Sequence, residues 1–128
     1  MSDYNPNEYT VGDADNRPWG RWEVTAVGTE NGEQKVEKKI TVNPGAVLSL
    51  QSHELRREEW TVIEGEIQVT CNEDVFALQK GQTTHIPLHA KHRMANTTDK
   101  PAVVHEIQRG TCKEADIKRY EDKYGRAS

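Results

Sequence analysis

From Trp22 onward, apolar and polar residues alternate in short runs, each cut off by a turn residue, and few folds accommodate that pattern. Val36, Lys38, Ile40 and Val42 share one parity and Glu37, Lys39 and Thr41 the other, the period of a strand with one buried face, and the run stops at Asn43-Pro44-Gly45. Residues 47–50 make another short run. Residues 60–63 and 67–70 flank Glu64-Gly65, a hairpin signal, and Asn72-Glu73-Asp74 and Lys80-Gly81 turn the chain into residues 75–78 and 83–86. Residues 102–108 form the last clear strand. Strands this short and evenly punctuated predict an all-β sandwich or barrel. The end of the chain differs: residues 114–124 are dense in helix formers, with acids in the first turn and Gly125 after them, which predicts a C-terminal helix on the β domain. Residues 1–16 carry no hydrophobic period and are expected to form a flexible or loosely docked arm before one domain over 17–128.

The length of 128 residues suits a single domain, and a hydrophobic content of 34% beside 30% charged residues makes its core lean. Seventeen Lys and Arg against 21 Asp and Glu leave a formal charge of -4 with no basic run, a poor partner for nucleic acid. No apolar stretch approaches the roughly 20 residues of a membrane span. The polar, Asn-rich start is unlike a secretory signal, so a cytoplasmic location is expected. Cys71 and Cys112 are too few and too far apart for a disulfide scaffold or a thiolate zinc site.

Chemistry concentrates in two blocks. Gly45-AVLSL-Gln51-Ser-His53-ELRR-Glu58-EWTVIE-Gly65 sets three polar candidates between two turn glycines, with Gln51 and His53 on one strand parity. Gly81-QTTHI-Pro87-Leu-His89-Ala-Lys-His92-RMA-Asn96 adds another imidazole. These blocks resemble the two motifs of the cupin superfamily, G(X)5HXH(X)4E(X)6G and G(X)5PXG(X)2H(X)3N, with Gln51 in place of the first histidine and His89 in place of the second motif's inner glycine. Arg17-Pro-Trp-Gly20, His85-IPLHAKHR, Pro101-AVVHEIQRG and Asp116-IKRYEDKYGR126 extend the likeness to the cupin domain of type II phosphomannose isomerases. The nucleotidyltransferase portion usually fused ahead of that domain is outside these 128 residues, so a free-standing isomerase-type cupin, unable to make GDP-mannose alone, is expected.

That resemblance implies a cupin double-stranded β-helix, or jelly-roll barrel, and a divalent metal on Gln51, His53, Glu58 and His92. Zinc is the first expectation, with iron, manganese or nickel as other ions suited to imidazole and oxygen donors. It also implies a small sugar phosphate as partner, interconverted between mannose 6-phosphate and fructose 6-phosphate through an enediol. Glu106 shares a face with Val104 and Gln108, matches the family's EXQXG ending, and reads as general base or as a residue orienting a ligand histidine. Lys38, on a face otherwise apolar, reads as an acid/base, a substrate contact or a chain snorkelling to the mouth. Arg56, Arg93, Lys91 and His89 are the expected substrate contacts. The family's QMHHHRAEHW stretch departs here at Glu54, Leu55 and Glu59, which adds acid at the rim and allows a non-catalytic cupin binding a sugar or other small molecule as the alternative, with an iron-dependent oxygenase or other carbohydrate-modifying cupin third. Trp19, Trp22 and Trp60 are expected to pack. Exposed sheet edges lead to the expectation of a homodimer.

Overall fold

A computed structural model describes residues 9–113 and 115–121. Eleven strands occur among them: β1 (Ala14–Arg17), β2 (Gly20–Glu30), β3 (Glu33–Val42), β4 (Leu50–Ser52), β5 (Arg56–Glu64), β6 (Glu66–Cys71), β7 (Asp74–Gln79), β8 (Thr83–Ile86), β9 (His92–Ala95), β10 (Ala102–Gly110) and β11 (Lys118–Glu121). They form two antiparallel sheets, ordered β1-β2-β3-β10-β5-β8 and β11-β4-β9-β6-β7. The all-β architecture expected from the alternation is therefore present, and β3 buries Val36, Lys38, Ile40 and Val42 on one face as their parity requires.

The two inner faces divide by polarity. Ile40, Val42, Trp60, Val62 and Val104 pack with Ile67, Val69 and Met94 of the other sheet into one apolar cluster. Each such side chain contributes roughly 1.5–3 kcal/mol by leaving water. Farther along the same strands the buried positions turn polar: Lys38 on β3, Arg56 and Glu58 on β5, Glu106 and Gln108 on β10. Register brings them together, since Glu106 lies opposite Lys38 on one side and Trp60 on the other, and Gln108 lies opposite Glu58.

Three expectations change. Glu64-Gly65 is not a hairpin: β5 pairs with β10 and β8, whereas β6 pairs with β7 and β9, so the turn carries the chain from one sheet to the other. Local turn chemistry is the same for both outcomes, and only the partners of the flanking strands distinguish them. The C-terminal helix is absent from the described residues. Lys118–Glu121 instead pairs with β4, because that strand's open edge offers backbone hydrogen bonds that outweigh a modest helix propensity; Glu114 and residues 122–125 of that expectation lie outside the described residues. The proposed arm is docked from Tyr9, which is buried beside Val24, Val36 and Cys112, and its residues 14–16 belong to β1; residues 1–8 lie outside the described residues. Among the described residues no helix is long and apolar enough to cross a membrane.

Candidate metal and substrate site

The polar end of the interior opens as a cavity of about 90 Å³. His53 follows β4, Glu58 lies on β5 and His92 begins β9, and one donor atom of each falls within 4.8 Å of the others. All three are buried. Glu58 Oε2 is 3.1 Å from His53 Nε2, and Glu58 Oε1 is 3.7 Å from His92 Nε2. Two donors about 2.1 Å from a shared ion, at angles of 90–109°, lie about 3.0–3.4 Å apart; the His53 separation falls in that range, and the His92 separation is longer than it.

The imidazoles are oriented from behind. His53 Nδ1 donates to the carbonyl of Asp116 at 2.6 Å, and His92 Nδ1 to that of Ala90 at 2.9 Å. Each ring therefore turns Nε2, with its lone pair, toward Glu58, the arrangement by which metal-binding histidines are held. Burial lowers the pKa of His92 against the opposing pull of Glu58, which favours the neutral ligand form. Burial resists ionisation of Glu58, but the contact with His53 and the nearby His92 and Arg56 outweigh it and hold this carboxyl well below its ordinary value. Trp60 Nε1 donates to Glu58 Oε1 at 2.9 Å. Gln51 sits beside His92 in register and donates its Nε2 to Ser49 Oγ at 3.0 Å, which leaves Oε1 as its acceptor. Two imidazole Nε2 atoms, an ionised carboxylate and an amide oxygen make a donor set that fits a divalent cation.

Arg56 is not at the rim. It is buried among these groups, donating from Nε to Glu58 Oε2 at 3.1 Å, from Nη2 to His53 Nε2 at 3.3 Å and from Nη1 to the Lys113 carbonyl at 3.1 Å. Burial alone would lower its pKa, yet Glu58 and Glu106 raise it above the ordinary value. Glu106 reaches the same cavity and accepts from Gln108 Nε2 at 2.8 Å. Burial, and then the charge of Glu58, push its pKa up to about 7 against Lys38 and Arg56. Lys38, also in the wall, lies over Tyr9 and Trp22 at 4.1 and 4.8 Å from the ring centroids.

Other expected contacts separate from the cavity. Arg93 touches the wall, but alternation along β9 sets it opposite in sense to His92 and its Nη2 is held by Glu121 at 2.9 Å. Lys91 lies over Tyr120 at 4.5 Å and does not line the cavity. His89 is also outside the wall. Its φ of 69° is the left-handed conformation that suits the glycine of the motif, and its Nδ1 is 3.1 Å from Glu54 Oε2. Two departures from the family pattern thus pair with each other on the surface. A third, Glu59, faces His85 and Arg109 on the outer side of β5. The acid these departures add is directed away from the cavity.

Sequence reasoning missed Arg119, which lines the cavity from β11 opposite Gln51, and it left Arg17 without a role although Arg17 also lines it. The signal for Arg119 was its place in the Asp116-IKRYEDKYGR126 segment, hidden by the helical reading. It also missed the clamp that Asp116 makes on the first motif, where its side chain accepts from the backbone N–H groups of Glu54 and Leu55.

Comparison with known proteins agrees with this arrangement. The two-sheet fold is shared with an oxalate decarboxylase from Bacillus subtilis (TM-score 0.67, 23% identity, covering 78% of this chain and 28% of that one). It is shared too with the Cnp3 cupin domain of Schizosaccharomyces pombe (TM-score 0.60, 14% identity, 71% and 65% coverage). In sequence, the alginate biosynthesis protein AlgA of Pseudomonas putida is 46% identical over 113 residues, 88% of this chain and 22% of that protein. The xanthan biosynthesis protein XanB of Xanthomonas campestris is 43% identical over 111 residues, 86% and 23% of the two chains. The mannose-1-phosphate guanylyltransferase ManC of Salmonella typhimurium is 39% identical over 111 residues, 86% and 22%. The chain spans less than a quarter of the length of these relatives. Residues 4–122 match the family described as Mannose-6-phosphate isomerase C-terminal, and with the cupin fold around the His53–Glu58–His92 centre the chain belongs to that family.

Proposed function

We propose that this domain is a metal-dependent aldose–ketose isomerase that interconverts mannose 6-phosphate and fructose 6-phosphate, with zinc as its ion. The observation that carries the reading is the meeting of two carbonyl-anchored imidazoles with an ionised carboxylate, at a cavity lined by His92, Glu58 and the second buried carboxyl, Glu106. Gln51, His53, Glu58 and His92 would hold the ion, which when bound supplies Lewis acidity toward sugar oxygens. The chain's own groups supply the rest. Glu106, with a pKa near neutrality, accepts a proton from one of the two sugar carbons C1 and C2 and returns it to the other as the enediol forms and collapses. Gln108 fixes the orientation of that carboxyl through the Nε2 contact. Lys38, facing Glu106 across the β3–β10 pair, places a positive charge where the substrate oxygens gain negative charge. Trp60 and Arg56 keep Glu58 ionised and in position.

Elemental analysis of the purified protein together with a coupled assay of both sugar phosphates tests this. About one divalent ion per chain and turnover in both directions are expected. Bound ion with no turnover would replace the isomerase reading by sugar binding alone, and oxygen uptake with iron would replace it by oxidation. Glu106→Gln is expected to keep the ion and lower kcat at least a hundredfold; loss of the ion would make Glu106 a residue that orients a ligand. A homodimer is part of the same proposal, supported by the edge strand β7, which exposes Val75 and Phe76. Sedimentation at twice the single-chain mass is the expected reading.

A further inference from the structure

We propose that Arg17 and Arg119, on the edge strands of opposite sheets, form an anion clamp at the cavity mouth that takes the phosphate monoester of the ligand. This deepens the isomerase reading and rests on it for the identity of the sugar, but the clamp itself is argued from the chain's charges. The chain as a whole is acidic, with a formal charge of -4, yet Arg17, Lys38, Arg56, Arg93 and Arg119 line one cavity against two carboxylates. A cationic enclosure in an acidic chain concentrates field lines on an anion.

Existing partners divide these cations. Arg56 is committed to Glu58 and His53, Arg93 to Glu121, and Lys38 lies deeper, opposite Glu106. The two arginines of β1 and β11 differ. Arg119 Nε is buried without a hydrogen-bond partner, a state that disfavours the fold until an acceptor oxygen reaches it. Arg17 lies over Trp22 at 5.9 Å and pairs with Asp15, an exposed contact that an incoming dianion can exchange. A planar guanidinium fork matches phosphate oxygens, and two forks from opposite walls match a terminal phosphate better than an internal diester.

Position supports the same assignment. Arg119, Gln51 and His92 form one row of register partners across β11, β4 and β9. Two strand spacings, about 10 Å, separate the backbones at the ends of that row, with Gln51 between them, so Arg119 stands one strand away from the proposed metal centre.

Isothermal titration with mannose 6-phosphate, mannose and inorganic phosphate tests the clamp on the purified protein, on Arg17→Met and Arg119→Met singly and combined, and on Arg57→Met as an outside control. Unaltered protein is expected to bind mannose 6-phosphate at least tenfold more tightly than mannose. Each cavity variant should weaken both phosphate ligands about tenfold or more while mannose and the Arg57→Met control are unchanged. In the coupled assay KM should rise more than kcat falls. Arg119→Lys, which keeps charge but loses the fork, is expected to lie between and guards against misfolding of the methionine variant. Unchanged phosphate affinity in the double variant overturns the clamp, as does equal binding of mannose and mannose 6-phosphate by the unaltered protein. Phosphate binding that depends on both arginines without any turnover would instead remove the isomerase reading and leave the clamp standing.

Discussion

Arg56 and Glu58 show how much a single buried side chain decides in this interior. Glu58 receives hydrogen bonds from Arg56 and Trp60, with His53 and His92 facing it, so its charge is matched within the protein itself. Replacing Arg56 by Met should therefore destabilise the metal-free protein by about 3 kcal/mol, since it leaves a buried carboxylate short of a cation. Added zinc should restore most of the lost melting temperature, because the ion supplies positive charge at the same atoms. No loss of stability in calorimetry would show that the guanidinium is a bystander. His92→Ala and Glu58→Gln are expected to reduce bound metal to well below one-tenth of the unaltered content, read by elemental analysis after dialysis, the first by removing a donor and the second by replacing the carboxylate with a neutral amide. The candidates at these positions came from the resemblance to the two cupin motifs, and strand parity added only that Gln51 and His53 point the same way. The guanidinium's burial was not legible in the sequence, because an arginine after an exposed Leu55 has the same local pattern whether it folds inward or outward.

At the scale of elements, the turn at Gly65 and the strand β11 carry the main lessons. Gly65 has φ of 75°, and a Cβ built there would stand 2.9 Å from the Pro101 carbonyl oxygen, where the chain crosses between sheets. Gly65→Ala is expected to lower stability by about 1–3 kcal/mol, measured by denaturant unfolding, through left-handed strain and displacement of backbone. A variant as stable as the parent would mean that the crossing is looser than its contacts indicate. The β11 segment was read as a helix because Glu, Lys, Arg and Ala are good helix formers, a property measured in isolation. What overrides it is long-range: Tyr120 Oη meets Ser52 Oγ at 2.9 Å, and Arg119 and Lys118 pair with Gln51 and Ser52. Partners nearly seventy residues away in sequence are not visible in an eleven-residue window. The same segment brings the Asp116 carbonyl to His53, so an element misread locally is one that orients a candidate ligand.

For the whole molecule, the two sheets bury apolar residues at one end and ionisable ones at the other, which couples binding to folding. An ion or ligand that binds only the folded chain stabilises it by about 2.7 kcal/mol at a hundred times its Kd. Chelation of purified protein should therefore lower the melting temperature by several degrees, and stoichiometric zinc should reverse the change; a melting curve indifferent to both would detach the centre from the fold. The effect should be muted in His92→Ala, which tests whether the stabilisation acts through this centre.

By itself the sequence determined the period-2 alternation, the turns that cut it into short strands, and the spacing of Gln51, His53, Glu58 and His92. These are local quantities, governed by which way successive side chains point and where the backbone can bend. Only the tertiary structure decided that β5 and β6 part company at Gly65, that residues 118–121 close a sheet, that Arg56 lies within the site and Lys91 and His89 outside it, and that Arg17 and Arg119 meet one cavity. Those outcomes depend on which distant strands satisfy each other's hydrogen bonds and on how charges compensate once buried, and neither is encoded in neighbouring residues.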